Sequence, residues 1–262
     1  MRSMDLRELP DTPFSRHPWE IARARYFVRV ARENVPNGQR LAVLDVGAGD
    51  GYLASELVRS LPKGSTVTCF DTRYSDEQLA AFAARAPGGL CFTRVLAEER
   101  FDLLMLLDVV EHVADDRDFV SRLVDSHLRP GGLVLVSVPA WQALFTRHDV
   151  VLGHHRRYRP RELDALLTAA GLVRLEGGSL FTTLILPRLA AKCVELARGV
   201  HSAPDGAPPD HATTSAATFH GGDLLAAAAT WVLDHDARAG RALSRRGVAL
   251  PGLSAWALGR KP

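Results

Sequence analysis

Short apolar runs alternate with amphipathic stretches over much of the chain. Apolar runs of strand length occupy residues 41–46, 66–70, 90–93, 103–107 and 133–138. Between them, apolar residues recur at helical spacing, as in the stretch that contains Phe119 and Leu123 and that we expect to end at Pro130. Strands that alternate with helices favour a parallel sheet with helices on both faces. The pattern therefore predicts an α/β fold.

Helical regions are predicted on either side of this alternating core, which spans residues 41–178. Residues 1–40 form an N-terminal helical cap, because an amphipathic run opens at His17. Residues 179–250 form a helical insertion, which we expect to cover the carboxyl edge of the sheet as a lid or a dimer surface, and residues 251–262 supply the last strand. The insertion is predicted to contain a long loop at residues 201–222 and a helix with one apolar side: Leu224, Leu225, Ala228, Trp231, Val232 and His235.

Three alternating glycines follow the first predicted strand. Gly47, Gly49 and Gly51 precede a helical pattern that begins at Tyr52. Such a turn brings backbone N–H groups close to a nucleotide-like ligand, because no Cβ blocks the approach. The spacing G-x-G-x-G differs from the dinucleotide fingerprint G-x-G-x-x-G. Asp45, two residues before the first glycine, would repel a pyrophosphate but would suit an ammonium group.

A second acid follows the next strand. Asp71 lies 20 residues after Gly51, since 71 − 51 = 20. An acid at this distance is placed to accept hydrogen bonds from ribose hydroxyls. The ligand that these residues imply is a nucleoside with a positively charged tail and no phosphate.

From about residue 41 to residue 178, the chain resembles the class I S-adenosylmethionine-dependent methyltransferases. The resemblance is carried by LDVGAGDG, by Asp71, by FDLLMLLDVVEHV and by LRPGGLVLVSVP, in this order. It implies a Rossmann-like fold, S-adenosylmethionine as the cofactor and S-adenosylhomocysteine as its product. The residues that it implies around the cofactor are Asp45, Gly47, Ala48, Gly49 and Gly51 for the methionine portion, Asp71 and Thr72 for the ribose, and Asp108, Val109 and His112 near the methyl group.

His112 is one candidate for the catalytic base. Methyl transfer requires an aligned nucleophile, and a hydroxyl acceptor must also lose its proton. His112 follows the fourth strand, at the carboxyl edge where open α/β sheets bind their ligands, and imidazole titrates near neutral pH. The alternative is that Glu111 and His112 only line the cofactor without transferring a proton.

A second polar segment, GHHRRYR at residues 153–159, follows the fifth strand. Its His155 is the other candidate base, and its guanidinium groups have the geometry that recognises carboxylate or phosphate. The residues expected to contact the acceptor are Trp19, Trp141, His154, Arg156, Arg157 and Tyr158. The alternative is that Arg156 and Arg159 pair with acids such as Asp149 or Glu162 and only hold the loop.

The predicted activity is O-methylation of a small anionic or polyhydroxylated molecule. A lipid-linked or quinone-type acceptor at a membrane surface is the alternative, because residues 180–192 are apolar and then basic. A catalytically silent cofactor-binding subunit is a further alternative. We expect no metal ion, although Asp108, Glu111 and His112 could converge with His154 or His155.

Composition narrows the class of protein. The chain has 262 residues, 47% of them hydrophobic and 24% charged, as in ordinary globular proteins. A net charge of +2 argues against a nucleic-acid partner. The partner that we expect is a small-molecule acceptor. Weak contact with a membrane surface and a homodimer are further possibilities. The three cysteines have no metal-binding spacing, so we expect buried reduced thiols in a cytoplasmic protein of specialised metabolism. We expect no signal peptide and no transmembrane segment, because no apolar run is long enough.

Overall fold

The computed structural model describes residues 16–36, 38–197 and 222–262. The loop predicted at residues 201–222 lies outside this part of the chain, apart from Gly222, which begins a helix. Residues 1–15 of the predicted cap and residues 198–200 of the predicted insertion also lie outside it. The predicted strands fall on described residues and can be compared with the structure directly.

Within the described residues, seven strands form one sheet in the order β3-β2-β1-β4-β5-β7-β6. The strands are β1 (Ala42–Val46), β2 (Thr66–Phe70), β3 (Leu90–Thr93), β4 (Phe101–Leu107), β5 (Leu128–Pro139), β6 (Val173–Leu180) and β7 (Ser254–Arg260). Neighbouring strands from β3 to β5 run parallel, whereas β7 runs antiparallel to both β5 and β6. The predicted α/β fold is confirmed, with a sheet that is mixed at the β6 edge.

Helices cover both faces of the sheet. They are α1 (Pro18–Asn34), α2 (Tyr52–Ser60), α3 (Asp76–Arg85), α4 (Asp116–His127), α5 (Arg147–Leu152), α6 (Pro160–Ala169), α7 (Ile185–Ala197) and α8 (Gly222–Ser244). The predicted N-terminal helix is confirmed as α1, which begins with a capping box between His17 and Glu20. Among the helices of the described ranges, none is long and apolar enough to cross a membrane.

Alternate side chains of the central strands enter two apolar clusters. Val43 of β1 joins the cluster beneath α1, α2 and α8, and the next residue, Leu44, joins the cluster beneath α4 and α6. Leu103 and Leu104 of β4 divide between the same two clusters. This period of two is the pattern of a strand that is buried on both faces, which explains why the central strands are almost uninterrupted apolar runs.

Two boundaries differ from the prediction. Helix α4 ends at His127 rather than at Pro130, because Leu128 already pairs with Phe101 at the start of β5. The pairing of β4 with β5 shifts register after this point, which accommodates the turn at Pro130 within the strand. Strand β6 continues to Leu180, past the predicted core boundary at residue 178.

Helix α8 buries a different side from the one predicted. Leu224 and Trp231 are 84% and 62% exposed, whereas Leu233 and Ala237 are buried. The helix packs on α1 and β6, where small residues allow close approach and buried polar groups find partners. One such pair joins Arg241 to Glu176, with 2.8 Å between Nε and Oε1. The prediction was wrong because it chose the buried side of the helix from its apolar residues alone. Polar side chains can also face inward when they have hydrogen-bond or charge partners there.

The thiols are only partly as expected. Cys69 is buried in β2, but Cys91 and Cys193 are exposed, so the prediction of buried thiols was wrong for these two. Cys91 lies in β3, an edge strand, and the edge leaves its side chain accessible.

Candidate cofactor and acceptor site

The glycine turn after β1 has a backbone that only glycine adopts at low cost. Gly47, Gly49 and Gly51 have φ of +66°, +56° and +72°. A Cβ on Gly47 would lie 2.7 Å from Val109 Cγ2, and one on Gly51 would lie 2.6 Å from the Phe92 ring. The turn is closed against β2, since Gly47 N–H donates to the carbonyl of Phe70 over 2.7 Å. Backbone, rather than side chains, therefore forms the floor of the site.

Asp45 lies beneath this turn and is almost inaccessible to solvent. Burial raises the pKa of the Asp45 carboxyl to about 7, and the nearby Arg23 guanidinium opposes part of that increase. A buried carboxylate in such surroundings is stabilised when a cationic group binds beside it.

Asp71 and Thr72 directly follow β2, the strand that runs parallel to β1. The N–H of Asp71 donates to Thr93, and its carboxylate accepts from the N–H of Arg73 over 2.9 Å. Asp71 is half-buried and Thr72 is exposed at the carboxyl end of β2.

Arg23 of α1 is a site residue that the sequence analysis missed. Its guanidinium is nearly buried, with Nη2 2.9 Å from Oδ2 of Asp108. The angles at this contact are not those of a hydrogen bond, so Nη2, Nε and Asp108 Oδ2 keep unused bonding capacity among the described residues. Arg23 is four residues after Trp19 and four before Phe27 on the buried side of α1, and this helical spacing was the available signal.

Asp108 adopts a left-handed backbone at the end of β4, with φ of +59°. Its N–H donates to the carbonyl of Ser137 in β5 over 2.8 Å, which holds the turn in place. Backbone strain in a non-glycine residue is retained where the surrounding structure fixes it, and such positions concentrate at functional sites. Val109, the next residue, is the side chain that contacts Gly47.

Glu111 is fully buried in the short helix Val110–His112 that follows. Neither of its carboxylate oxygens has a hydrogen-bond partner among the described residues. Burial and the neighbouring Asp108 raise the pKa of Glu111 well above its ordinary value. Its carboxyl group therefore has capacity for a ligand or a proton at the carboxyl edge of the sheet.

His154 lies against Glu111 and His112. The rings of His112 and His154 meet edge to face with centroids 4.7 Å apart. Together the three residues offer ligand atoms that all lie within 4.8 Å of one another. This is the chemistry of a divalent-cation site and equally of a proton-transfer site. The expectation of no metal ion stays a prediction.

Asp149 is a buried acceptor for four side chains. Its carboxylate accepts hydrogen bonds from His154 Nδ1 over 2.9 Å, Arg157 Nε over 2.8 Å and Arg188 Nη2 over 2.9 Å. It also accepts a hydrogen bond from the hydroxyl of Thr146. Burial by itself would raise the pKa of Asp149, but the bond from His154 and the charge of Arg157 hold it well below its ordinary value. Asp149 is therefore ionised, and it ties helix α7 to the segment that carries His154.

The predicted acceptor residues divide between the site and its supports. Arg157 is buried, and its bonds to Asp149 and to the carbonyl of Ala140 occupy its guanidinium. Tyr158 is also buried and donates to Asp116 over 2.7 Å, a carboxylate that lies 3.3 Å from Arg156. These contacts hold the loop, and the substrate roles expected from the sequence stay predictions.

Three other predicted residues lie near the edge of the site. Trp19 is buried in the first turn of α1 as part of the core. Trp141 has φ of +65°, and its indole N–H donates to the carbonyl of Gly252 over 2.9 Å. His155 is exposed, and its backbone N–H donates to the carbonyl of Glu111 over 2.7 Å. The backbone of His155, rather than its imidazole, therefore makes this contact with the end of β4.

These residues fit S-adenosylmethionine. The cradle of glycines, the buried Asp45 and the unused donors of Arg23 suit an amino-acid moiety, which carries an ammonium and a carboxylate group. Asp71 follows the neighbouring strand, where a ribose is bound in open α/β sheets. Fold and site together define a class I S-adenosylmethionine-dependent methyltransferase.

The chain belongs to the family described as "Methyltransferase domain", whose sequence model matches residues 19–176. Among similar proteins is a ubiquinone biosynthesis O-methyltransferase from Rhizobium leguminosarum bv. trifolii, 33% identical over 183 residues. That match covers 60% of this chain and 71% of the relative. The protein is thus an S-adenosylmethionine-dependent methyltransferase, and its cofactor leaves as S-adenosylhomocysteine.

Solved structures agree in fold. The [4+2]-cyclase SpnF has a TM-score of 0.56 at 19% identity, covering 98% of this chain and 90% of that chain. An S-adenosylmethionine-dependent methyltransferase from Mesorhizobium loti has a TM-score of 0.51 at 15% identity, and the match covers 89% of this chain and 96% of that chain. At such identities the similarity shows the fold alone, and function must be argued from the site.

Proposed function

We propose that the protein methylates a hydroxyl oxygen of a small polyhydroxylated or anionic acceptor, with a histidine at the carboxyl edge as the base. The observation that carries this proposal is the group formed by His154 with Glu111 and His112, two residues of the short helix that follows Asp108. A hydroxyl acceptor needs a nearby proton acceptor, and this group supplies three candidates beside the turn that binds the cofactor. The O-methyltransferase name of the relatives supports oxygen as the acceptor atom.

Each residue around the cofactor has a proposed task. Asp45 pairs with the ammonium group, Arg23 donates to the carboxylate, and Asp71 accepts from the ribose hydroxyls. Asp108 and Val109 line the wall beside the reacting centre. S-Adenosylmethionine supplies an electrophilic methyl group when bound, so the protein's own contribution is to orient the acceptor oxygen and to remove its proton.

A hydroxyl group has more support than an anionic group as the feature that the site recognises. Arg157 is bonded to Asp149, and Arg156 to Asp116 and to the carbonyl of Ala114. Guanidinium groups that are already paired give less to an incoming carboxylate than free ones do.

A quinone-type or lipid-linked acceptor is the second candidate. The relatives are named for ubiquinone biosynthesis, which gives no support to the predicted role in specialised metabolism. Helices α7 and α8 expose large apolar side chains, with Leu186 at 75% and Leu224 at 84% exposure. An exposed apolar surface of this kind suits contact with a lipid-linked acceptor at a membrane surface.

Methyl-labelled S-adenosylmethionine separates these candidates. The purified protein is incubated with a host-cell extract, and label is followed in polar small-molecule and lipid fractions. Gly51→Val, which obstructs the cofactor turn, serves as the inactive control, and Gly38→Val is matched to it because nothing lies within 4 Å of a Cβ at Gly38.

Each distribution of label has a defined meaning. Label in the polar fraction supports the first candidate, and label in the lipid fraction supports the second. Binding of the cofactor without transfer to either fraction would contradict both and favour a silent subunit.

A further inference from the structure

We infer that His154 is the general base of the methyl transfer and that Asp149 positions it. The inference rests on the proposed O-methylation and replaces the two histidines that the sequence favoured, His112 and His155. Three observations carry it. His154 has a carboxylate partner, it lies against the turn that follows β4, and the rings of the other two histidines are exposed.

Asp149 fixes which ring nitrogen of His154 carries a proton. An ionised carboxylate only accepts hydrogen bonds, so Nδ1 of His154, 2.9 Å from Asp149 Oδ1, is the donor. In the neutral ring, Nε2 then holds a lone pair that can accept a proton. The carboxylate also stabilises the imidazolium that forms once the proton arrives.

The surrounding charges favour this state. Arg157 and Arg188 compensate the charge of Asp149 from the loop and from α7. On its other side, His154 faces Glu111 and His112 from the turn after β4. The arginines keep Asp149 ionised, and Asp149 in turn keeps the ring oriented.

The backbone places this ring at the carboxyl edge of the sheet. Gly153 ends α5 with φ of +75°, and the chain then turns so that His155 N–H donates to the carbonyl of Glu111. This bond links the His154 segment to the turn after β4, in which Asp108 and Val109 border the cofactor cradle. Nδ1 contacts Asp149 at 2.9 Å, and a ligand atom of His154 lies within 4.8 Å of ligand atoms of Glu111 and His112.

The other two histidine rings are exposed. Solvent competes for the hydrogen-bonding atoms of His112 and His155. His154 is buried, and Asp149 holds it in one orientation. A base held in place before the acceptor binds needs no reorganisation during the reaction.

The proton transfer has a complete chemical balance. His154 Nε2 takes the proton of the acceptor hydroxyl while the oxygen lone pair forms the new bond to the methyl carbon. The carbon–sulfur bond breaks with its electron pair going to sulfur, which gives a neutral thioether. The proton on His154 then leaves through the exposed His112, whose ring lies 4.7 Å away between centroids.

Nitrogen NMR tests the orientation of His154 without any acceptor. The full chain is labelled with 15N-histidine and studied at pH 7.5 with S-adenosylhomocysteine bound, and the signal absent in His154→Gln is assigned to this residue. The tautomer protonated at Nδ1 is expected. Protonation at Nε2, or a doubly protonated ring, would overturn the inference, because no lone pair would then point away from Asp149.

Kinetics with the acceptor recovered from the labelled extract test the role itself. His154→Gln should lower kcat about 10²–10⁴-fold, and the deficit should shrink from pH 7 to 9.5 as the acceptor loses its proton unaided. The KM for S-adenosylmethionine should change little. His127→Gln is the matched control, because the half-buried His127 ends α4 and its Nδ1 contacts the carbonyl of Glu99 rather than a residue of the site.

The alternatives give different results. A His154→Gln variant within threefold of wild type, or a loss carried instead by His112→Gln or His155→Gln, would overturn the inference alone. Loss of activity in EDTA with recovery on adding a divalent metal would assign the cluster to a metal ion and also overturn it. Failure of the wild type to transfer label at all would contradict the proposed function and, with it, the role of His154.

Discussion

Asp45 and Arg23 are opposite charges held in nearly solvent-free surroundings at the carboxyl edge of the sheet. Burial opposes ionisation of Asp45, and Arg23 offsets only part of this cost. The geometry leaves donors of Arg23 without partners among the described residues. A ligand with an ammonium and a carboxylate group would therefore give each of them a partner of opposite charge. Because their hydrogen-bonding groups are incompletely paired in the free protein, this pairing favours binding.

Cofactor affinity should fall at acid pH because of Asp45. Its pKa is raised to about 7, so below that value the free protein must lose a proton before Asp45 can pair with the ammonium group. The dissociation constant for S-adenosylhomocysteine, measured by calorimetry, should rise up to about tenfold per pH unit from pH 7 to 5.5.

Asp45→Asn is the control for this pH dependence. The variant should bind more weakly at pH 7.5 and show a flatter profile. It should remain folded, because the raised pKa means that the ionised carboxylate destabilises the free protein above pH 7. An unchanged pH profile in Asp45→Asn would show that another group controls binding.

Gly51→Ala should destabilise the protein more than Gly38→Ala does. Both residues have positive φ, +72° and +74°, so both substitutions carry the same backbone penalty. Only at Gly51 would the new Cβ meet a ring, that of Phe92 at 2.6 Å. Urea unfolding should show an additional loss of about 1–3 kcal/mol for Gly51→Ala. Equal losses would mean that the Phe92 ring moves aside freely.

At the scale of elements, the contacts of Asp149 connect α5, the His154 loop and α7. Asp149 accepts from Arg157 of the loop and from Arg188 of the insertion, and both pairs are largely shielded from solvent. Removing one partner from a buried cluster of charges leaves the remaining charges without a counter-charge. The resulting loss of folding free energy is larger than the net stabilisation that the intact cluster provides.

Asp149→Ala should therefore reduce the free energy of unfolding by about 3–5 kcal/mol at pH 7, as measured in urea. Asp164→Ala, which removes the exposed pair with Arg174, should cost about 0–1 kcal/mol. The pKa of Asp149 is depressed, so its contribution is present at neutral pH and is lost as pH falls below about 4. A difference between the variants that persists under strong acid would contradict this account.

The buried side of α8 can be tested directly. Leu233→Ala should cost about 2–5 kcal/mol, because Leu233 packs in the cluster beneath α1 and α8. Trp231→Ala should change stability by less than about 0.5 kcal/mol, since its ring is mostly exposed. Thermal or urea unfolding distinguishes the two. A large cost at Trp231 would mean that the predicted side of α8 is covered after all.

At the scale of the whole molecule, the parts that the sequence predicted well are those set by neighbours along the chain. The glycine turn, Asp45 and Asp71 follow from a strand, a tight turn and a fixed spacing, each of which is local. Alternation of strands and helices likewise determines the α/β architecture before any tertiary contact is known.

The contacts that the sequence does not predict lie between distant elements. Arg23 enters the site only because α1 crosses the carboxyl edge and reaches Asp108. The contact between His154 and Asp149, five residues earlier, forms only once α5 has turned the chain. Arg157 resembles a ligand-binding residue in sequence, and only the tertiary structure reveals its pair with the buried Asp149.

Calorimetric titration of the purified chain with S-adenosylhomocysteine tests the central claim most directly, because it needs no acceptor. One site per chain is expected, and Gly47→Val should abolish binding, since a side chain at Gly47 would meet Val109. Gly131→Val is the matched control: its φ is also positive, and nothing lies within 4 Å of a Cβ there. Binding that is absent in the wild type, or that survives Gly47→Val unchanged, would contradict the placement of the cofactor at this turn.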